Sequence, residues 1–328
     1  MDWKPEAPAG DLPMLQWNAN LEDELVTRVG VPHAGGKLAY NAFVNNYRVM
    51  VSASAFWKAD KGEFRVPYAS DLEECEFALD SAGFTAMRRW KEKGRQAGLA
   101  GIFPWTLPQY IQLVMDLRPS WWSAPDLCCE PEICSNQAEI DFRVDGTATL
   151  LEATLRQVYA YQNDLARTGH NSREIMNILK PCVCVIQGWR ADDYLRCLEL
   201  VLEVWERWRP WLATPTLIGI GSVCRRNLNH KEHGLFAILA KLEPYLPAGA
   251  LLHLFGVKGA AVEKVRMLDY VQGGDSMAYD FSARVKAREA GISNSFAHRT
   301  AEMDRWMTSA AERARAKPGD QLRLGFHA

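Results

Sequence analysis

The 328-residue sequence has no apolar run approaching the roughly 20 residues needed to cross a bilayer, so no membrane partner is expected. Its opening MDWKPEAPAGDLPM lacks the basic-then-apolar order of a secretory leader, and a cytoplasmic location is expected. No CxxC pair occurs, and no GxGxxG or GxxxxGK[ST] loop, which removes the commonest zinc and nucleotide patterns. No internal repeat is present, which excludes a solenoid. Nor is there a surplus of charge. With 38 Lys+Arg against 40 Asp+Glu the formal charge is -2, so a polyanion would have to be held by local basic patches.

What remains is the composition of a globular enzyme-sized chain, 48% hydrophobic and 24% charged. Of its eight cysteines, Cys182 and Cys184 alternate in PCVCVIQGW, so one face of a strand would bury both. Cys128, Cys129 and Cys134 in CCEPEIC are candidate metal ligands. No HxxxH-type partner follows them, and no metal is expected there.

Short β-branched or apolar runs alternate with helical patterns. Strands are expected over 48–53, 77–80, 121–126, 182–187, 216–221 and 251–257, with a short piece ending near Asp275. Helices are expected over 85–97, 107–117, 147–168, 192–208, 231–242 and 260–268. Repeated strand–helix alternation at this length favours a closed (β/α)8 TIM barrel over an open doubly wound sheet. The layout reads as an irregular lead-in over 1–45, a barrel over 46–290 and a helical extension over 291–328.

The strand ends carry the chemistry. FAL runs into DSAGF, CVCVI into QGW, TLIGI into GSVCRR, LLHLF into GVKG, and the last piece into GGDSMAYD. Each ends in Gly with polar or acidic neighbours, two of them with Asp. Catalytic groups converge on that rim of a barrel, and Gly there admits a ligand close to the backbone. Two carboxylates facing one cleft suit displacement at an acetal-like carbon, one as nucleophile and one as proton shuttle. An N-glycosidic bond meets the same requirement.

These motifs, DSAGF (80–84), VIQGW (185–189), GIGSVCRR (219–226), HLFGVKG (253–259) and DSMAYDFSAR (275–284), stand in the order seen in the tRNA-guanine transglycosylase superfamily. GSVCRR, FGVK and DSMA resemble most its DpdA branch, which puts 7-deazaguanine bases into DNA. The resemblance implies a modified (β/α)8 barrel. It implies Asp275 as nucleophile, with Arg284 nine residues on and Asp280 as a rival, and Asp80 as general acid/base. It places Ser81, Gly83 and Phe84, then Gln187, Gly188 and Trp189, at the base pocket, followed by Gly221, Ser222, Gly256 and Lys258. Trp189 stands where the tRNA enzymes have a second Gly. Asp126 in SAPDLCCEP matches more loosely the Asp that reads the base edge, a turn or capping role being its alternative.

One departure is plain. Relatives carry a C-terminal zinc site of three Cys and a His, whereas here His298 is present and no Cys follows Cys224, so the site is expected to be lost. Basic clusters lie at Arg88, Arg89, Lys91, Lys93 and Arg95, at Arg225 and Arg226, and at Arg284, Lys286 and Arg288. The last two follow rim motifs and are candidate phosphate contacts; the first is equally a solvated helix face. Trp121, Trp122 and Trp189 are candidates to stack on an extruded base, with core packing the alternative. The resemblance thus implies a transglycosylase without cofactor, exchanging guanine in DNA for preQ0 or a derivative. Other DNA-modification proteins are further candidate partners. A tRNA substrate and a non-catalytic nucleic-acid-binding barrel are the alternatives.

Overall fold

The structure, a computed structural model, describes residues 25–32, 36–67, 70–224 and 226–315. Its strands are β1 (Val26–Val31), β2 (Val49–Ser52), β3 (Trp57–Lys58), β4 (Glu63–Phe64), β5 (Phe77–Asp80), β6 (Trp121–Trp122), β7 (Cys184–Ile186), β8 (Leu217–Ile220), β9 (Leu251–Leu254) and β10 (Val271–Ser276). The helices are α1 (Lys37–Val44), α2 (Gly83–Lys93), α3 (Leu107–Leu117), α4 (Gln137–Arg167), α5 (Ser172–Ile178), α6 (Ala191–Trp208), α7 (Leu235–Leu242), α8 (Gly259–Val265), α9 (Ala278–Glu289) and α10 (Phe296–Ala314). None of the described helices is long and apolar enough to cross a membrane.

Eight strands form one parallel sheet in the order β6-β5-β2-β1-β10-β9-β8-β7, while β3 and β4 make a separate antiparallel hairpin. A parallel bridge between Ser123 and Val183 joins the two edges of the curl. There the Val183 N–H donates to Trp122 O at 2.8 Å, and the Ala124 N–H donates to Val183 O at 2.8 Å. Neighbours around the ring are therefore successive sheet strands, as in a (β/α)8 barrel. Alternation along each strand separates two apolar layers. Met50, Ala78, Trp121, Val183 and Leu217 pack inside the ring. Val49, Leu79, Trp122, Cys182, Cys184 and Ile218 face outward against the helices. Both cysteines share one buried face, as their spacing predicts.

Three differences from the sequence expectation have physical causes. Within the supposedly irregular residues 1–45, β1 occupies the sheet between β2 and β10, and α1 follows it. Arg28 masks β1 in the sequence. It is 1% exposed inside the ring, paired with Glu76 at 2.6 Å and 5.4 Å from the Trp121 ring centroid. Helix α4 begins at Gln137, with the Asn136 side chain accepting the Glu139 N–H, and runs through Gly146. That glycine is a contact rather than a break, since a Cβ there would lie 2.5 Å from Leu127 Cδ1. Finally, α10 packs on α1, α8, α9 and β1, so the described part of the C-terminal extension is built into the barrel wall. The Asn41 side-chain amide donates to Asp304 at 2.8 Å across that contact.

Candidate active site

A cavity of about 320 Å³ opens at the C-terminal ends of the strands. Asp80 is the last residue of β5. The chain then turns through Ala82, held in the left-handed region at φ 67°, into α2, and the Ala82 N–H donates to Asp80 Oδ2 at 3.1 Å. Gly83 follows because nothing larger fits: a Cβ would meet Asp126 atoms at 2.7–2.9 Å. Burial pushes the Asp80 carboxyl up to about 7, and the neighbouring Asp126 and Asp275 charges add to the rise.

Asp275 lies on β10 and enters the cavity from the opposite side of the sequence. Its Oδ1 accepts the Gly256 N–H at 3.1 Å and lies 3.1 Å from His253 Nε2. His253 is 3% exposed, and burial pulls its pKa down, so the ring is neutral and donates through Nε2. Trp121 packs edge-on against that ring at 4.9 Å, which fixes its plane.

The third part of the wall is a polar chain. Asp126 accepts from Ser81 Oγ at 2.7 Å and from the Gln187 side-chain amide. Gln187 Oε1 is 2.6 Å from Ser222 Oγ, which also accepts the Cys129 N–H at 2.7 Å and lies 2.9 Å from Glu130. Burial raises both Asp126 and Glu130 above the usual carboxylate range. Phe84 and Met277, 38% and 42% exposed, stand at the cavity mouth.

Of the residues singled out by sequence, Asp80, Asp275, Asp126 and Gln187 line this cavity together. So do Gly83, Phe84, Gly221, Ser222 and Gly256. Ser81 lies behind Asp126 and holds it. Gly188, Trp189 and Lys258 are outside the lining. Gly188 packs on Asp193 and Tyr194, and Lys258 is exposed with its Nζ on Arg226 O at 3.2 Å. Trp189 stacks on His233 at 5.2 Å and under the Arg226 guanidinium at 4.1 Å. Asp280 points elsewhere, buried in ion pairs with Arg299 at 2.6 Å and Arg284 at 3.1 Å.

Of the expected phosphate contacts, Arg226 is turned away from solvent. Arg226 is 2% exposed, and its N–H groups are consumed internally. Nη1 donates to Trp189 O at 2.6 Å and to His233 O at 2.7 Å; Nε and Nη2 donate to Ser222 O, and Nη2 to the Tyr194 hydroxyl at 3.1 Å. It is a clamp between two rim loops. Arg225 lies outside the described residues. Arg284 is tied to Asp280 and Lys286 to Glu302 at 2.8 Å, and Arg288 is exposed. Trp121 and Trp122 are core residues, each 1% exposed.

Sequence reasoning missed Glu130 and His253. Glu130 sits among the cysteines of CCEPEIC, where no local pattern singles it out. The alternation Leu-His-Leu in β9 was the available signal that His253 faces inward. Among the described residues no group of three or more His, Cys, Asp or Glu is arranged to hold a metal. His298 lies with its Nε2 2.9 Å from Ala283 O.

A parallel eight-stranded barrel that gathers acids from several strand ends around one rim cavity is a (β/α)8 protein of the enzyme-like class. Residues 64–318 match the model of the family described as DpdA, DeoxyPurine in DNA protein A, and the chain belongs to that family. No curated protein matches the chain.

Proposed function

We propose that the protein is a DNA-guanine transglycosylase, exchanging guanine in DNA for a 7-deazaguanine base such as preQ0 or a derivative. The observation that carries this reading is that Asp80 and Asp275, from strands far apart in sequence, line one cavity in unlike environments. Asp275 attacks C1′ of a deoxyguanosine as its N-glycosidic bond breaks, and the bonding electrons leave with guanine. Asp80, poised near neutrality, gives its proton to the departing base. The incoming base returns a proton to Asp80 as its nitrogen attacks C1′, and Asp275 is released. Two displacements keep the sugar configuration. The chemistry itself calls for no redox cofactor, no nucleotide and no metal.

Asp126 and Gln187 supply the polar edge that reads the base, and Phe84 and Met277 give its ring an apolar passage. A guanine in duplex DNA must first be extruded, at a cost of a few kcal/mol, which a single-stranded or partner-opened substrate lowers. Incubating the protein with labelled 7-deazaguanine and either DNA or tRNA tests the reading. Label in DNA is the expected result. Label in tRNA alone would move the substrate class, and label in neither would refute the reading. Metal analysis of the purified chain tests the expected loss of the zinc site; stoichiometric zinc would overturn it.

A further inference from the structure

The reaction uses Asp80 and Asp275, and Asp126 reads the base, but another acid in the cavity wall, Glu130, has no task in it. It is 8% exposed; among the described residues its side-chain hydrogen-bond partner is Ser222, at 2.9 Å, and its own backbone N–H also serves it. The same Ser222 oxygen accepts the Cys129 N–H at 2.7 Å and sits 2.6 Å from Gln187 Oε1. A serine hydroxyl carries one proton and cannot serve two acceptors. Ser222 is held at this junction with φ 53°, a left-handed conformation uncommon for a residue with a side chain.

Two arrangements satisfy the count. In the first, Glu130 is an acid. Its O–H donates to Ser222, Ser222 donates to Gln187 Oε1, and the Gln187 amide nitrogen donates to Asp126. In the second, Glu130 is an anion and takes the Ser222 proton. The Gln187 amide must then turn round, and Asp126 must become the acid. One proton is thus shared between two acids through a serine and an amide.

Donor count decides between them, because negative charge settles where hydrogen-bond donors converge. Besides Gln187, Asp126 faces the Ser81 hydroxyl at 2.7 Å and the Cys128 thiol at 3.6 Å. Glu130 faces Ser222 from β8's end, Arg226 and Tyr194 across the loop, and Asp126, Cys128 and Cys129 on its own segment. The Arg226 N–H groups are already consumed by carbonyls and the Tyr194 hydroxyl.

We propose that Glu130 is a positioning residue acting as a neutral acid, holding the Gln187 amide in one orientation and so keeping Asp126 an anion toward the base. Ser81 and Gln187 each occupy one lone pair, on different Asp126 oxygens. The Cys128 thiol also faces Oδ2, so Oδ1 keeps the freer lone pair for the cavity, which fits the N1–H donor of a guanine-type edge. Adenine, with an acceptor at N1, is rejected. The inference rests on the cavity being a guanine-type base site, as proposed above.

The test is equilibrium binding of free guanine and 7-deazaguanine to the full chain across neutral to alkaline pH, for wild type and Glu130→Gln. Wild-type affinity is expected to fall about tenfold per pH unit once Glu130 loses its proton. Glu130→Gln cannot ionise and still offers an N–H to Ser222, so it lacks this fall. Asp80 titrates in the same cavity and contributes equally to both profiles. Ser222→Ala is expected to weaken binding, and adding Glu130→Gln to it should change nothing further. Parallel pH profiles for wild type and Glu130→Gln would overturn the relay, since a side chain that merely packs gives that result. If wild type exchanges base while the profiles run parallel, the relay alone fails; if wild type binds neither base, the transglycosylase reading fails with it.

Discussion

The two walls of the cavity hold the same functional group in opposite conditions. On the β5–β6 side, Asp80, Asp126 and Glu130 crowd together, and burial lifts all three. On the β9–β10 side, Asp275 receives two N–H donors, from Gly256 and a neutral His253. Burial favours the protonated form of an acid, up to about 7 at Asp80, whereas converging N–H donors hold the Asp275 carboxylate in one orientation. The proposed reaction places proton handling at Asp80 on one wall and nucleophilic attack at Asp275 on the other. The largest effect should come from erasing the contrast at Asp275. Asp275→Asn is expected to lower exchange by about 10⁴-fold or more and to abolish any trapped protein–DNA adduct, with the thermal unfolding profile retained. An adduct that persists would move the nucleophile elsewhere.

Asp80→Asn should cost less, about 10²- to 10⁴-fold, because it removes acid–base help and leaves the nucleophile in place. It should also remove the ionisation near pH 7 from the rate profile. Stability should move the other way. The ordinary value for Asp80 is 3.8 and its folded value about 7, so between them the folded chain holds a proton that the unfolded chain has lost. Wild-type stability therefore falls as pH rises through that window. An asparagine cannot ionise, so the variant should be the more stable protein above pH 7, by up to a few kcal/mol. Denaturant melts of both proteins at acidic and alkaline pH check the sign. A variant less stable than wild type above pH 7 would show that the carboxylate is not penalised there.

The same contrast explains what could be read from residues alone. Strands such as 77–80 are legible because apolar runs stop at a Gly-rich polar turn, and both key acids sit at those stops. Helix 107–117 is legible from its periodicity and the Thr106 cap, and its boundaries match. Strand β1 was not legible. Its inward positions are Arg28 and Gly30, which break the apolar pattern, and only the partners Glu76 and Trp121 make a buried Arg tolerable. Glu130 was not legible for a related reason. Its role depends on Ser222, 92 residues away, and no local spacing encodes that contact.

Basic residues give the same lesson at smaller amplitude, in Arg226 and Lys258. Adjacent in space, one is buried with every N–H committed and the other is exposed. Arg226→Lys should lower stability by about 2–3 kcal/mol, because an ammonium has three donors and no fork to bridge the Trp189, His233 and Ser222 carbonyls. The salt dependence of DNA binding should be unchanged, since no phosphate reaches that guanidinium.

Lys258→Ala is the reverse case. Its ammonium touches one backbone carbonyl and otherwise faces water at the end of β9, so melting should shift little. If it neutralises one phosphate beside the cavity, the slope of log affinity against log salt should shrink by about 1, for every DNA sequence alike. A steeper loss on one sequence than another would mean a base contact instead. An unchanged slope would shift the phosphate grip to exposed cations farther from the cavity, such as Arg288. A chain of formal charge -2 depends on a few such residues, so each lost contact should register in the slope.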